Sequence, residues 1–171
     1  MKLEERCKSI EFIVSDVDGV LTDGGVLLDN EGIEAKQYHI RDGLGIKLWR
    51  KAGFRFGIIT GRNSQTVRLR SSELGIDVVR QGVDEKLTVA DDFLKHFGLN
   101  RNQLAYIGDD LPDLPVVRAA GLGVAVNDAA AELREAADYV TQAPGGRGAV
   151  RELVELILKA QGRWADIVRT F

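Results

Sequence analysis

Two carboxylates stand two residues apart at the end of an apolar run, in Ser15-Asp16-Val17-Asp18-Gly19. Residues i and i+2 of an extended chain face the same side, so Asp16 and Asp18 share one small volume. Such crowding is unfavourable unless a cation neutralises it or one carboxyl keeps its proton. A hard divalent cation takes oxygen ligands, and a protonated carboxyl serves as a general acid; a strand-end turn rich in Asp and Gly would look the same from this segment alone. Further on, Ile59-Thr60-Gly61-Arg62 offers a hydroxyl and a free backbone N–H to an anion. Thr60 or Asn63 could equally cap the helix that follows. Lys86 opens another helix, at the end where the dipole disfavours a cation, which suits either a lysine serving an anionic ligand or one in solvent. Gly108-Asp109-Asp110-Leu111-Pro112-Asp113 closes a further apolar run with three more carboxylates. With Pro112 in a first helical turn, Asp110 and Asp113 suit an acidic cap, and Asp109, ahead of the cap, is the better metal ligand.

The elements that must position these groups alternate along the chain. Short apolar runs at 10–15, 56–60, 76–80, 104–107, 122–126 and 139–141 read as strands. Segments of helical period lie between or after them, at 44–52, 64–74, 85–97, 112–120, 129–137 and 147–160. Strands that are apolar throughout and separated by helices imply a parallel sheet covered on both faces, a doubly wound α/β fold. In such sheets function collects at the carboxyl ends of the strands, where each acidic or hydroxyl group above falls. One region breaks the alternation: 26–28 and 34–38, joined by Asp29-Asn30-Glu31-Gly32, read as a β-hairpin directly after the first strand. With no repeat or linker, residues 1–171 are expected to form a single domain. Trp164, Ile167, Val168 and Phe171 gather on one side of a tail at 160–171, either a frayed terminus or a segment that docks on a neighbouring subunit.

Composition excludes other classes. With 44% hydrophobic and 29% charged residues and a net charge of -3, the chain is an ordinary globular one, not a collagenous, low-complexity or disordered one. It has no clustered basic patch for nucleic acid and no apolar run long enough for a signal peptide or membrane span, so the expected location is the cytoplasm. The single Cys7 can build neither a disulfide framework nor a zinc site, and with no His near it in sequence it reads as a small near-terminal side chain, not a nucleophile. The 19 glycines, about 11% against roughly 7% on average, suggest many tight strand-to-helix turns.

Taken in order, D-x-D-G-x-x-T, the strand-end Thr-Gly, the helix-start Lys and G-D-D-x-x-D resemble the haloacid dehalogenase superfamily of phosphohydrolases over nearly the whole chain. The resemblance implies catalysis by Asp16, Asp18, Thr60 and Lys86. Asp16 would form an aspartyl-phosphate, and Asp18 would protonate the leaving oxygen and then activate water. It also implies Mg²⁺ held by the Asp16 carboxylate, the Asp18 carbonyl and Asp109, with Asp110 and Asp113 as supporting acids and Thr60 and Lys86 on the phosphoryl oxygens. Only 41 residues separate Asp18 from Thr60 and 25 separate Thr60 from Lys86, which leaves no room for a cap domain. An uncapped site must still limit water, so neighbouring copies of the chain are expected to help cover it.

A finer resemblance lies in Asp23-Gly24-Gly25, in 38–47, in Ile59-Thr60-Gly61-Arg62 and in the GGRGAVRE stretch at 145–152. These are similar to the 3-deoxy-D-manno-octulosonate 8-phosphate (KDO 8-phosphate) phosphatases, capless homotetramers of lipopolysaccharide precursor synthesis. That likeness implies a sugar acid phosphate bound by His39, Ile40, Arg41, Asp42, Gly43, Lys47, Arg62, Arg70 and Lys86. A substrate carrying both carboxylate and phosphate needs several cations at an acidic mouth, and arginines supply them with bidentate geometry. His39 departs from the smaller polar residue expected at its position. Two readings compete: a phosphatase for a nonulosonate 9-phosphate, and a non-catalytic phosphoacceptor module, although receiver modules lack a second acidic cluster like that at 109–113. Gly43-Leu44-Gly45 and Gly121-Leu122-Gly123 are too isolated for a dinucleotide fingerprint.

Overall fold

A computed structural model describes residues 2–171. Its sheet has six parallel strands: β1 (Phe12–Ser15), β4 (Arg55–Ile59), β5 (Val78–Arg80), β6 (Leu104–Gly108), β7 (Leu122–Ala125) and β8 (Tyr139–Val140). Their spatial order is β5-β4-β1-β6-β7-β8. The chain winds outward from β1 first one way and then the other, so the crevice between the carboxyl ends of β1, β4 and β6 is the switch point. All four residues of β1 are buried, as its apolar run required for a strand covered on both faces. The expected hairpin is present as β2 (Leu27–Leu28) and β3 (Glu34–Ala35).

Among the described residues there are eight α-helices: α1 (Leu3–Lys8), α2 (Ile40–Lys51), α3 (Gln65–Leu74), α4 (Lys86–Phe97), α5 (Leu114–Ala119), α6 (Ala131–Ala136), α7 (Ala149–Ala160) and α8 (Trp164–Val168). Helices α1 and α2 pack on α7 with α3 against α2, and α4 and α6 pack on α5. Helix α2 begins four residues before the expected start at 44. Its glycines are the reason: a Cβ on Gly45 would come within 3.1 Å of the Arg151 Cα, so the residue that weakens helical propensity lets α2 and α7 approach closely. Trp49 of α2 is fully buried, stacks on Phe54 at 4.3 Å and donates its indole N–H to the Arg55 carbonyl.

Helix α1 was not expected, because six residues of mixed charge carry little helical signal. It is held by the buried Cys7 and by Gln161, whose amide donates to the Cys7 and Ile10 carbonyls. Burial pushes the Cys7 thiol up to about 11, an inert packing group. The tail lies on its own chain: Ile167 is buried, Arg163 donates to the Ala52 carbonyl, and Lys51 reaches the Thr170 hydroxyl. Ala52 follows α2 just before β4 begins, at the amino end of the strands, opposite the crevice.

Candidate active site

The segment after β1 turns sharply over the strand ends. Asp16 is 7% exposed, and its Oδ1 accepts the Val17 N–H at 2.6 Å. Gly19 adopts φ +90, and a Cβ there would overlap the Asp109 carboxylate, so only glycine lets this turn pass against the end of β6. Thr22 braces the turn, its hydroxyl accepting the N–H groups of Gly19 and Gly24. Gly145 and Gly146, from the GGRGAVRE stretch, support it from behind, with the Gly146 N–H on the Val20 carbonyl at 2.8 Å.

Lys86 is the hub of the cleft. It is 4% exposed, and its Nζ donates to Asp16 Oδ2 at 2.8 Å and to Asp113 Oδ1 at 2.7 Å. Although burial disfavours an ammonium, Asp16 and Asp113 together hold its pKa above the usual lysine value. Asp113 is fully buried and accepts four donors: Lys86 and the Tyr106 hydroxyl at 2.6 Å on Oδ1, and the N–H groups of Asp109 and Asp110 on Oδ2. Asp110 caps the short 3₁₀ turn Leu111–Asp113, accepting the Leu111 N–H at 2.8 Å. Thr60, 1% exposed, lines the cleft with Gly61 and Arg62, and so do Asp18 and Asp109.

The acidic cluster fits a divalent cation. Asp16, Asp109 and Asp113 each bring a carboxylate oxygen within 4.8 Å of the others. Burial first, then the charges of Asp16 and Asp113, push Asp109 up to about 8. Burial and then Asp113 raise Asp16 to about 6 despite Lys86. Carboxylates so short of counter-charge suit a hard cation, and Mg²⁺ takes oxygen donors of this kind. Since Asp113 is saturated by its four donors, the side chains left for the ion are Asp16 and Asp109.

The hairpin reaches into the site with two residues that sequence reading missed. The Lys36 side chain, 1% exposed, donates to Asp18 Oδ1 and lies 3.1 Å from Glu34 Oε1. Glu34 Oε1 also accepts the Arg62 guanidinium at 3.0 Å. In sequence, Glu34 and Lys36 look like a solvated strand face; the available signal was their i, i+2 spacing, which sends both to one side.

The substrate residues expected around α2 are only partly brought together. Arg62 and Lys86 line the cleft, and His39 stands at the N-cap position of α2 with no side-chain capping bond. Ile40, 83% exposed, and Arg41 lie open at the start of α2. Asp42 and Gly43 lie apart from the cleft lining. Asp42 is 1% exposed, and its carboxylate accepts the N–H groups of Gly148 at 3.1 Å and Arg151 at 2.8 Å, tying α2 to the start of α7. Gly43 is buried, and a Cβ there would strike the Arg70 guanidinium. Both residues line a separate small pocket with Tyr38, His39, Arg70 and Ser71, whose free volume of about 10 Å³ admits one water at most. Arg70 pairs with Glu73 at 2.7 Å and lies over the Tyr38 ring, while Lys47 is exposed farther along α2.

A parallel sheet whose strand ends hold a buried Asp-Lys-Asp hub beside two more carboxylates defines a phosphate-handling hydrolase, and a family model described as haloacid dehalogenase-like hydrolase matches residues 67–153. The 3-deoxy-D-manno-octulosonate 8-phosphate phosphatase KdsC of Haemophilus influenzae is 42% identical over 161 residues, 94% of this chain and 89% of that protein. The crystal structure of the corresponding phosphatase from Moraxella catarrhalis, in complex with magnesium ion, phosphate ion and KDO, superposes with a TM-score of 0.97. It is 44% identical and covers 98% of this chain and 97% of that one. A cobalt-bound form of the Haemophilus influenzae enzyme superposes with a TM-score of 0.89 at 43% identity, over 92% of both chains. This chain belongs to the haloacid dehalogenase-like hydrolases, in the family of the KDO 8-phosphate phosphatases.

Proposed function

We propose that the chain hydrolyses KDO 8-phosphate to KDO and inorganic phosphate with Mg²⁺ as cofactor. The observation that carries this reading is the buried Lys86 linking Asp16 to Asp113 in the cleft that Asp18, Thr60 and Asp109 also line. Its support from outside the cleft is the near full-length likeness to phosphatases of that substrate. An Asp16 oxygen attacks phosphorus, the ester P–O bond breaks, and the departing sugar oxygen takes a proton from Asp18. Asp18, now a carboxylate, removes a proton from water, which attacks the aspartyl-phosphate and frees Asp16 and phosphate. Lys86 and Thr60 donate to the phosphoryl oxygens, where charge gathers as the bond breaks. A Mg²⁺ ion held by the Asp16 and Asp109 carboxylates and the Asp18 carbonyl would neutralise part of that charge.

Arg62 at the cleft wall and Arg41 at the open start of α2 meet the substrate carboxylate in this reading. The enzyme works in the cytoplasm on a lipopolysaccharide precursor, as a homotetramer. Support for self-association is the run of apolar side chains exposed on the hairpin: Val26 53%, Leu27 66%, Leu28 54% and Ile33 62%. Among the described residues no helix is long and apolar enough to cross a membrane. The substrate assignment is tested by comparing phosphate release from KDO 8-phosphate and from a nine-carbon sialic-type 9-phosphate, both with Mg²⁺. The expected result is a kcat/KM higher for the eight-carbon substrate. The opposite order assigns the 9-phosphate, and a long-lived aspartyl-phosphate without turnover identifies a phosphoacceptor module.

A further inference from the structure

We propose that Lys36 is a positioning residue for the reaction: it fixes the orientation of the Asp18 carboxyl in the cleft wall, and Glu34 holds it there. The inference rests on the proposed function, in which Asp18 is the acid. Asp18 has two inequivalent oxygens. Oδ1 accepts the Lys36 ammonium, while Oδ2 is buried and has no hydrogen-bond partner among the described residues. A buried carboxyl oxygen left unpaired is costly, and such groups are rare outside sites that use them. Lys36 therefore selects one rotamer of Asp18, the carboxyl that gives its proton to the departing sugar oxygen. The ester P–O bond breaks as the Asp16–phosphorus bond forms, and no other reactant is needed.

Lys36 is itself confined. Its side chain is 1% exposed, and Glu34 Oε1 bridges its Nζ at 3.1 Å to the Arg62 guanidinium at 3.0 Å. A continuous chain, Asp18-Lys36-Glu34-Arg62, thus joins the proton donor to the cation at the substrate mouth. Three of its contacts cross from the hairpin to the strand ends of β1 and β4 or lie within the hairpin itself. The hairpin, whose own ladder is only two residues long on each strand, is latched to the catalytic floor by these charges.

The test separates proton donation from general damage by changing the leaving group. Lys36→Met and Lys36→Arg are compared with wild type on KDO 8-phosphate and, in rapid mixing, on p-nitrophenyl phosphate, whose leaving group departs without a proton. General acid catalysis contributes roughly 10²–10⁴-fold, so Lys36→Met is expected to lower kcat on the sugar phosphate by about 10²-fold. KM should move far less, and the p-nitrophenolate burst rate should stay within a few-fold of wild type. Lys36→Arg should restore most of the sugar phosphate kcat, and Glu34→Gln should show a weaker form of the same pattern. Equal losses on both substrates, or a Lys36→Met kcat near wild type, overturn the inference. If Lys36→Met does not fold, Lys36→Arg and Glu34→Gln decide through the same leaving-group ratio. Wild type that releases no phosphate from KDO 8-phosphate defeats the functional reading instead, a different outcome from either.

Discussion

Asp113→Asn is a nearly isosteric change whose cost can be worked out from the contacts it disturbs. The native carboxylate is an acceptor on both oxygens and receives four donors: Lys86, the Tyr106 hydroxyl and the N–H groups of Asp109 and Asp110. An amide accepts on one side only, so either orientation sets its NH₂ against donors. The Lys86 ammonium, 4% exposed, also loses one of its two counter-charges. Leaving a buried charge partly uncompensated costs about 3–5 kcal/mol. In a chain of this size one kcal/mol moves Tm by roughly 2–4 °C, so Tm should fall by roughly 6–20 °C. The effect should also appear in metal use, because the Asp109 backbone is held by Asp113: the Mg²⁺ concentration giving half-maximal phosphate release should rise. The assay is thermal unfolding by circular dichroism without metal, with a Mg²⁺ titration of activity on the same samples. A variant melting within about 2 °C of wild type with unchanged Mg²⁺ dependence would refute the view that Asp113 organises the cleft.

Gly19→Ala should fold but lose most of its activity and bind Mg²⁺ more weakly, since its Cβ would overlap the Asp109 carboxylate; Mg²⁺ titration calorimetry and phosphate release check this. Asp42→Asn should lower stability by roughly 1–3 kcal/mol through the lost acceptor at the start of α7, with KM nearly unchanged. A large rise in KM would return Asp42 to the substrate. Burial alone would raise the Asp77 carboxyl, but the Phe56 N–H, Arg50 and Arg55 outweigh it and hold it below the usual range. A depressed folded-state value stabilises above the unfolded carboxylate value of about 3.9 and is lost as pH falls through the folded one. Urea midpoints of Asp77→Asn should therefore lie below wild type at neutral pH and converge with it in acid.

The parallel sheet was legible because β1, β4, β6 and β7 are nearly continuous apolar runs, and their acidic or hydroxyl ends could only meet at one edge. That Asp16, Thr60 and Asp109 line one cleft was legible for that reason. Lys86 shows where local rules stop: the dipole at the start of α4 disfavours it, and two carboxylates from β1 and the β6 loop outweigh that cost. Lys36 and Glu34 were not legible, because their partners lie on other elements and nothing local distinguishes them from a wetted hairpin. The contacts of Asp42 were not legible for the complementary reason. A charged residue at the start of a helix looks available to a ligand, and only the packing of α2 on α7 shows that two backbone N–H groups already occupy it.

The most direct measurement of the central claim is phosphate release from KDO 8-phosphate with Mg²⁺ by wild type and by Asp16→Asn. Wild type is predicted to turn over, and the variant, lacking the nucleophilic carboxylate oxygen, to fall by at least about 10³-fold while keeping its fold. Turnover by Asp16→Asn near the wild-type rate, or no phosphate from the wild type, would contradict the account.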